Sequence, residues 1–158
     1  MLDRLGLALN EQKTQIVDAR RESFDFLGHR FSRWLSKRTG AIQTYHYPAP
    51  NSMNAVRKKI REAVRGGQHR QLPVLIRERI NPVLRGWGNY FKTGSSRRHF
   101  VRIANYTTWT LSIMLRKKYK KRSKGWRDHP PSWFYNYHGL FKLYSLLAHE
   151  RYGRLVTP

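Results

Sequence analysis

Residues 81–91 read Asn-Pro-Val-Leu-Arg-Gly-Trp-Gly-Asn-Tyr-Phe, and this stretch decides the fold. Together with Ile76 and Ile80 before it, its apolar side chains recur every three or four residues, which predicts an amphipathic helix. Pro82 lies inside that pattern and has no backbone N–H to donate. We therefore expect either a kink at this point or two consecutive helices.

The side chains of this stretch have both a structural and a functional interpretation. We expect Trp87 and Phe91 to lie in the core. Arg85 and Asn89 are four residues apart and share one helix face, so together they could hydrogen-bond a backbone group or a phosphate. Arg85 could equally form an internal pair, and the sequence leaves these two alternatives open.

Two more helices are predicted on either side of this stretch. Before it, apolar side chains recur at a helical period from Val56 to Val64. Asn51 or Ser52 is the expected N-cap of that helix, and Gly66-Gly67 is its expected end. After it, a second apolar stripe with the same period extends from Phe100 to Met114.

The two ends of the chain are predicted to differ from this helical centre. Apolar alternation favours one strand at residues 14–19 and a second at residues 23–35, paired with the first. Residues 39–50 contain Gly and Pro and indicate a short strand or a linker, where we place a domain boundary. Residues 133–147 are rich in aromatic side chains and are expected to form a last helix, interrupted by Gly139. The predicted fold class is mainly α (α+β).

The charge of the chain limits the class of partner. Its 158 residues carry 32 Lys plus Arg against 9 Asp plus Glu, a formal net charge of +23. Such a charge opposes folding by self-repulsion and calls for a polyanionic partner or counterions. Nucleic acid is the first candidate. An anionic membrane surface is the second, but no apolar run approaches the roughly 20 residues of a spanning helix.

The positive charge is concentrated between residues 57 and 122, where nineteen Lys or Arg stand against two acidic residues, Glu62 and Glu78. A helix of this kind can bury one side and hold the other against phosphates. A solvated face is the usual interpretation of a short charge run, but this ratio favours nucleic-acid binding. The residues expected to contact phosphates are Arg57, Lys58, Arg61, Arg65, Arg85, Arg97, Arg98, Arg102, Arg116, Lys117, Lys118, Lys120, Lys121 and Arg122.

Two segments resemble one protein family. Residues 81–91 are similar to the hallmark N-P-x-x-R-G-W-x-N-Y-[FY] of the group II intron maturase-specific domain. This domain, also called domain X, is the thumb of group II intron reverse transcriptases. Upstream, Lys13 in a polar turn and Phe26-Leu27-Gly28 in the next strand resemble motif D and the primer grip of the palm. The resemblance implies a palm remnant at residues 1–48 and a thumb, an α-helical bundle, at residues 49–158.

The function that this resemblance implies is binding of structured RNA, either group II intron RNA or an RNA–DNA hybrid. A maturase of this kind assists intron folding and splicing, and a thumb grips template and primer. The resemblance would place Phe26, Leu27 and Gly28 against the primer 3′ end and Lys13 near the phosphates of an incoming nucleotide.

Two other hypotheses remain open. The chain could be the C-terminal half of a split or truncated RNA-directed DNA polymerase that is active only with a palm-and-fingers chain. It could also be a decayed relic of a mobile-element protein, although the intact amphipathic periods argue mildly against decay.

Catalysis by this chain alone is not expected. Polymerase chemistry needs acidic ligands for two Mg²⁺ ions, and the sequence contains no Tyr-x-Asp-Asp. The cluster of Asp18, Glu22 and Asp25 matches no metal motif. We therefore expect no cofactor for this chain, and Mg²⁺ only in a full-length polymerase.

The remaining expectations concern single residues and location. The seven histidines are scattered without a helical metal-ligand spacing, and without cysteine there is no thiolate metal site or disulfide framework. Among the aromatic residues near the C-terminal end, Trp126 is the best candidate for stacking on an unpaired base. The expected location is the bacterial cytoplasm or an organelle, with no secretion and no membrane partner.

Overall fold

The computed structural model describes residue 18 and residues 22–36, 39–120 and 129–147. Within these ranges, an antiparallel sheet with strand order β1-β2-β3 is followed by helices. The predicted class, mainly α with a small β part, is confirmed. The strands are β1 (Phe24–Phe26), β2 (His29–Leu35) and β3 (Ile42–Pro48), and the helices are α1 (Pro50–Gly67), α2 (Leu72–Leu75), α3 (Asn81–Phe91), α4 (Arg97–Lys118) and α5 (Pro131–Asn136).

The sheet begins with a tight hairpin that the sequence pattern does not predict. Residues 23–35 are expected to form one strand, and this prediction is wrong because the chain reverses at Leu27 and Gly28. Both residues have a positive φ, 46° and 75°, as two-residue hairpin turns require. Phe26 consequently pairs with His29. The strand predicted at residues 14–19 lies outside the described ranges.

Strand β3 resolves the interpretation of residues 39–50. It pairs with β2 along its whole length, from Leu35 opposite Ile42 to His29 opposite Pro48. The segment is therefore a strand rather than a linker. Backbone hydrogen bonds then connect the sheet to the helices, from Ala49 N to Gly28 O at 2.9 Å and from Ser95 N to His46 O at 2.9 Å.

Helix α1 starts and ends for reasons other than those predicted. Its N-cap is Ala49, with Pro50 in the first turn, a position where proline loses no helical hydrogen bond. Ser52, an expected cap, instead donates its hydroxyl to Gly28 O at 2.9 Å. The helix does end at Gly67, but this glycine is buried because the side chain of Leu75 occupies the space that a Cβ would need.

The proline at position 82 is accommodated by a change of helix type. A π-helical turn, Ile76–Ile80, joins α2 to α3, and Asn81 N–H donates to Ile76 O, five residues back. Pro82 then occupies the first turn of α3, where its missing N–H costs little. Of the two predicted alternatives, consecutive helices are observed.

The helices bury their predicted apolar stripes against each other. Two contacts show that helices α1 and α4 run in the same direction. Arg57, in the first half of α1, contacts Tyr106 in the first half of α4. Lys118, at the end of α4, donates from Nζ to the carbonyl oxygen of Arg70, just after α1, at 2.9 Å. The stripe of α4 is almost fully buried, as predicted. The largest fully buried side chains are Val56, Ile60, Leu75, Ile76, Ile80, Leu84, Phe100, Ile103, Thr107, Leu111, Phe134 and Leu143.

The C-terminal segment is held by the amide of Asn81. Residues 133–147 are expected to form one interrupted helix, but α5 ends at Asn136, and Gly139 follows with φ of 65°. Asn81 Nδ2 donates to Gly139 O at 2.9 Å, and Phe141 N donates to Asn81 Oδ1 at 2.8 Å. Because Asn81 is buried, both amide groups depend on these partners.

We predict that Asn81→Ala lowers the free energy of unfolding by about 2–3 kcal/mol, because it leaves the Phe141 N–H and the Gly139 carbonyl without their partner. Asn89→Ala on the exposed side of the same helix is the matched control and should change stability by less than about 0.5 kcal/mol. Urea unfolding of both variants measures the difference. Equal effects would contradict the role given to Asn81.

Candidate nucleic-acid interface

The predicted phosphate contacts on α1 lie along one exposed side of that helix. Lys58, Arg61 and Arg65 are exposed, and Arg57 is half-buried. Arg57 Nη1 donates to Asn54 Oδ1 at 3.2 Å. Lys58 lies 4.0 Å from Glu62, an exposed ion pair that contributes little. These residues therefore keep most of their charge available to an anion in solvent.

Tyr106 of α4 orients two of these arginines. Arg61 Nη1 donates to the Tyr106 hydroxyl at 3.2 Å. The guanidinium carbon of Arg57 lies 5.9 Å from the centre of the same ring, within the range of a cation–π contact. The two guanidinium groups are therefore placed by a partner on another helix.

The N-terminal turn of α4 carries positive charge where a helix disfavours it. Arg97 and Arg98 are exposed in the first turn, which has no acidic residue, and Arg102 follows one turn later. The helix dipole places partial positive charge at this end, so each cation costs up to about 1 kcal/mol. The stability of the helix does not account for these arginines, whereas a bound polyanion would offset their cost.

At the C-terminal end of α4, positive charge is favourable to the helix. Arg116, Lys117 and Lys118 occupy its last turn, where cations interact favourably with the dipole. Lys118 also donates to the carbonyl of Arg70 after α1. These charges thus have a structural role, while their exposure leaves them available to phosphates. Lys120 is exposed as well, and Lys121, Arg122 and Trp126 lie outside the described ranges.

A groove of about 560 Å³ lies between α1 and α4. Val64, Ile113 and Met114 provide its apolar lining, and Thr110 and Arg61 also line it. The described lining residues include no carboxylate. Its cationic and imidazole side chains are Arg61, Arg65, His69, Lys117 and Lys118.

Sequence patterns did not single out Trp109, which lies beside this groove. Its side chain is 51% exposed, and its ring centre is 6.2 Å from that of Tyr106. A usable signal was present, because Trp109 falls outside the apolar stripe of α4 and shares a face with Arg102, Asn105 and Arg116. An aromatic residue among cations on the outer face of a helix is typical of nucleic-acid contacts.

The predicted primer-grip residues form the hairpin turn. Phe26 and Leu27 are 59% and 69% exposed. Three hydrogen bonds anchor the turn to the helices: Ala49 N and Ser52 Oγ donate to Gly28 O, and the Tyr90 hydroxyl donates to Leu27 O at 2.8 Å. The predicted motif D residue, Lys13, lies outside the described part of the chain.

A second, mainly apolar cleft of about 590 Å³ borders this turn. It lies between the turn, α1 and α3, and its lining includes Leu27, Val83, Gly86 and Trp87. Lys59 is its one charged lining residue among the described ones. The cleft therefore presents an apolar surface beside the two exposed side chains of the turn.

Acidic residues and histidines form no metal centre in the described ranges, where no group of three or more His, Cys, Asp or Glu could hold an ion. Asp25 instead accepts two hydrogen bonds from Arg30, at 2.7 and 3.0 Å. Among the described helices, none is long and apolar enough to cross a membrane.

A comparison with protein families finds a match for part of the helical region. Residues 53–130 match the family described as group II intron, maturase-specific domain. Over these residues, just under half of the chain, the protein is similar to a maturase-specific domain. A search of curated proteins found no match. The match extends from Met53, at the end of the first turn of α1, to Pro130, the residue before α5.

The segment at residues 81–91, which resembles the family hallmark, packs against several other parts of the chain. Trp87 packs between Phe91 and Phe100, with ring centres 5.1 and 5.3 Å away, which supports the core interpretation. The Arg85 guanidinium lies 5.0 Å from the ring centre of Phe141. Arg85 therefore has an internal partner, while its exposure leaves the phosphate contact as a prediction.

Glycine 88 in the same segment keeps room for the C-terminal segment. A Cβ at this position would lie 2.7 Å from Leu143 Cδ2 and 2.7 Å from Leu146 Cδ1, closer than packed carbon atoms come. Gly86, two residues earlier, has no such neighbour within 4 Å. Close packing therefore accounts for the glycine at position 88 but not for the one at position 86.

The pKa of His99 gives the maturase-specific domain a pH-dependent stability. Burial and the nearby Arg102 lower this pKa below the ordinary value. The unfolded state therefore binds more protons than the folded state below about pH 6.5, and stability is lost as the pH falls through that range. We predict that His99→Gln flattens the dependence of the unfolding midpoint between about pH 7 and 5.

The exposed His69→Gln is the matched control for this measurement. It removes an exposed histidine that lies just after the end of α1. If both substitutions flattened the pH profile equally, the assignment to His99 would be wrong.

Proposed function

We propose that this chain is an RNA-binding maturase domain that assists the folding and splicing of group II intron RNA. The observation that carries this proposal is the basic surface of α1 and α4 on a chain whose residues 53–130 match the maturase-specific domain. Phosphates would be held by cations that the protein itself does not neutralise. RNA duplexes are recognised mainly through shape and backbone contacts of this kind.

Electrostatics favours this role over that of a solvated charged surface. Cations occupy both the favourable and the unfavourable end of α4, so the stability of this helix does not explain their placement. Arg57 and Arg61 are oriented by Tyr106 rather than by a carboxylate. A polyanion lying across α1 and α4 would offset the repulsion among them.

The charge dependence of RNA affinity tests this proposal. We predict that neutralising Arg65, Arg102 and Arg116 together to Gln weakens RNA binding and reduces the slope of log affinity against log salt by about 2–3, since each duplex phosphate contact contributes ~0.9. The matched control neutralises Arg33, Arg79 and Lys92, which are also exposed but lie outside the predicted set. Filter binding across a salt series measures both variants.

The control variant loses the same total charge. Comparing the two variants therefore shows whether the salt dependence of RNA affinity comes from contacts at these positions or from the net charge of the protein. A slope that changes equally in both variants would show that RNA binding depends on net charge alone. Such a result would contradict the proposed interface on α1 and α4.

A second candidate function is a grip on template and primer within a polymerase. The sheet supports it, because its described residues leave several apolar side chains more than half exposed: Phe26, Leu27, Trp34, Leu35 and Ile42. Apolar surface of this extent is suited to cover by another protein layer. A palm-and-fingers chain is the partner that the family resemblance implies.

Primer extension distinguishes the two candidates. We predict that this chain alone yields no templated product with Mg²⁺ and deoxynucleotides, because its sequence contains no Tyr-x-Asp-Asp to hold the metal ions. A product formed only after addition of a palm-and-fingers chain would support the polymerase grip. A product from the purified chain alone would contradict both candidates as stated.

A further inference from the structure

Trp109 presents a large ring to solvent on the outer face of α4. The side chain is 51% exposed, while Thr108 and Leu111 beside it are at most 1% exposed. Packing within the described part of the chain thus uses only part of the apolar surface of the ring. Arg102 and Arg116 lie on the same helix face, about two turns on either side.

The position of Trp109 is fixed by its neighbour. Tyr106 is half-buried, and its ring lies at 38° to the Trp109 ring with centres 6.2 Å apart. Arg61 and Arg57 hold Tyr106 from the α1 side. A ligand that stacks on Trp109 would therefore meet an aromatic surface that is already ordered, which reduces the entropic cost of binding.

The groove beside Tyr106 and Trp109 combines an apolar surface, which suits a base, with positive charge, which suits a phosphate. Ile113 is half-buried and offers an apolar contact to a base, and Arg65 and Lys117 supply positive charge for phosphates. From Thr110 to Lys118 the α4 side of the groove extends about 12 Å. This length has room for a short run of nucleotides rather than for one isolated base.

We propose that the α1/α4 groove binds unpaired RNA nucleotides, with one base stacked on Trp109 and the neighbouring phosphates held by Arg61, Arg65 and Lys117. This inference rests on the proposed RNA-binding function and specifies the class of RNA at this site. Base faces are inaccessible within an A-form duplex, which proteins contact through backbone and 2′-hydroxyl groups. An aromatic stacking surface therefore selects a loop, a bulge or a single strand.

The test compares a short unstructured RNA with an RNA duplex of the same length, using fluorescence anisotropy on the full chain. Trp109→Ala should weaken binding of the unstructured RNA by about five- to a hundredfold, the loss expected for stacking of one base. Binding of the duplex should change by less than about twofold, because the phosphate contacts remain. Trp109→Phe should retain most of the affinity, since a smaller ring still stacks.

Trp34→Ala is the matched control, because Trp34 is 62% exposed on the sheet and lies outside the groove. It should leave both affinities unchanged, and thermal unfolding should show that all three variants are folded. Unchanged affinity of Trp109→Ala for the unstructured RNA, or an equal loss on both RNAs, would overturn the stacking role while leaving the proposed function intact. A wild-type chain that binds neither RNA would overturn the proposed function as well.

Discussion

The structure depends on a few hydrogen bonds made by the two ends of helix α3. At its start, the buried amide of Asn81 binds the backbone at Gly139 and Phe141 and so fixes the C-terminal segment. Near its end, the Tyr90 hydroxyl binds Leu27 O and anchors the hairpin turn. Helix α3 thereby joins the sheet, the helical core and the C-terminal segment.

The scaffold explains how a chain with a net charge of +23 can present that charge in an ordered way. The apolar stripes of α1 and α4 pack together, so their cationic sides are brought next to each other along one groove. Self-repulsion between these sides opposes folding, and an RNA backbone lying along them would relieve it. If the chain binds RNA as proposed, binding and stability are coupled, since a ligand that binds only the folded state stabilises it.

Helical periodicity predicted the helical centre of the fold well, because burial of an apolar stripe leaves a strong sequence signal. The stripe from Phe100 to Met114 and the break at Pro82 both match the structure. The predictions that failed are at positions where contacts between distant parts of the chain, or a local turn, override the sequence pattern. Ser52 binds the hairpin turn instead of capping α1, and the single strand expected over residues 23–35 is divided by a turn at Leu27 and Gly28. The cationic residues of the candidate site follow from composition, but the place of Trp109 beside the groove depends on how α1 and α4 pack.

The most direct test of the account is filter binding of folded group II intron RNA and a generic RNA duplex of equal length, side by side across a salt series. Salt screens nonspecific phosphate contacts, so binding that persists at high salt reports recognition of RNA shape. A maturase domain that recognises intron structure should hold intron RNA much more tightly than the duplex at high salt. If both affinities fall together with the same slope, the chain is a nonspecific polyanion-binding domain and the maturase role proposed here is wrong.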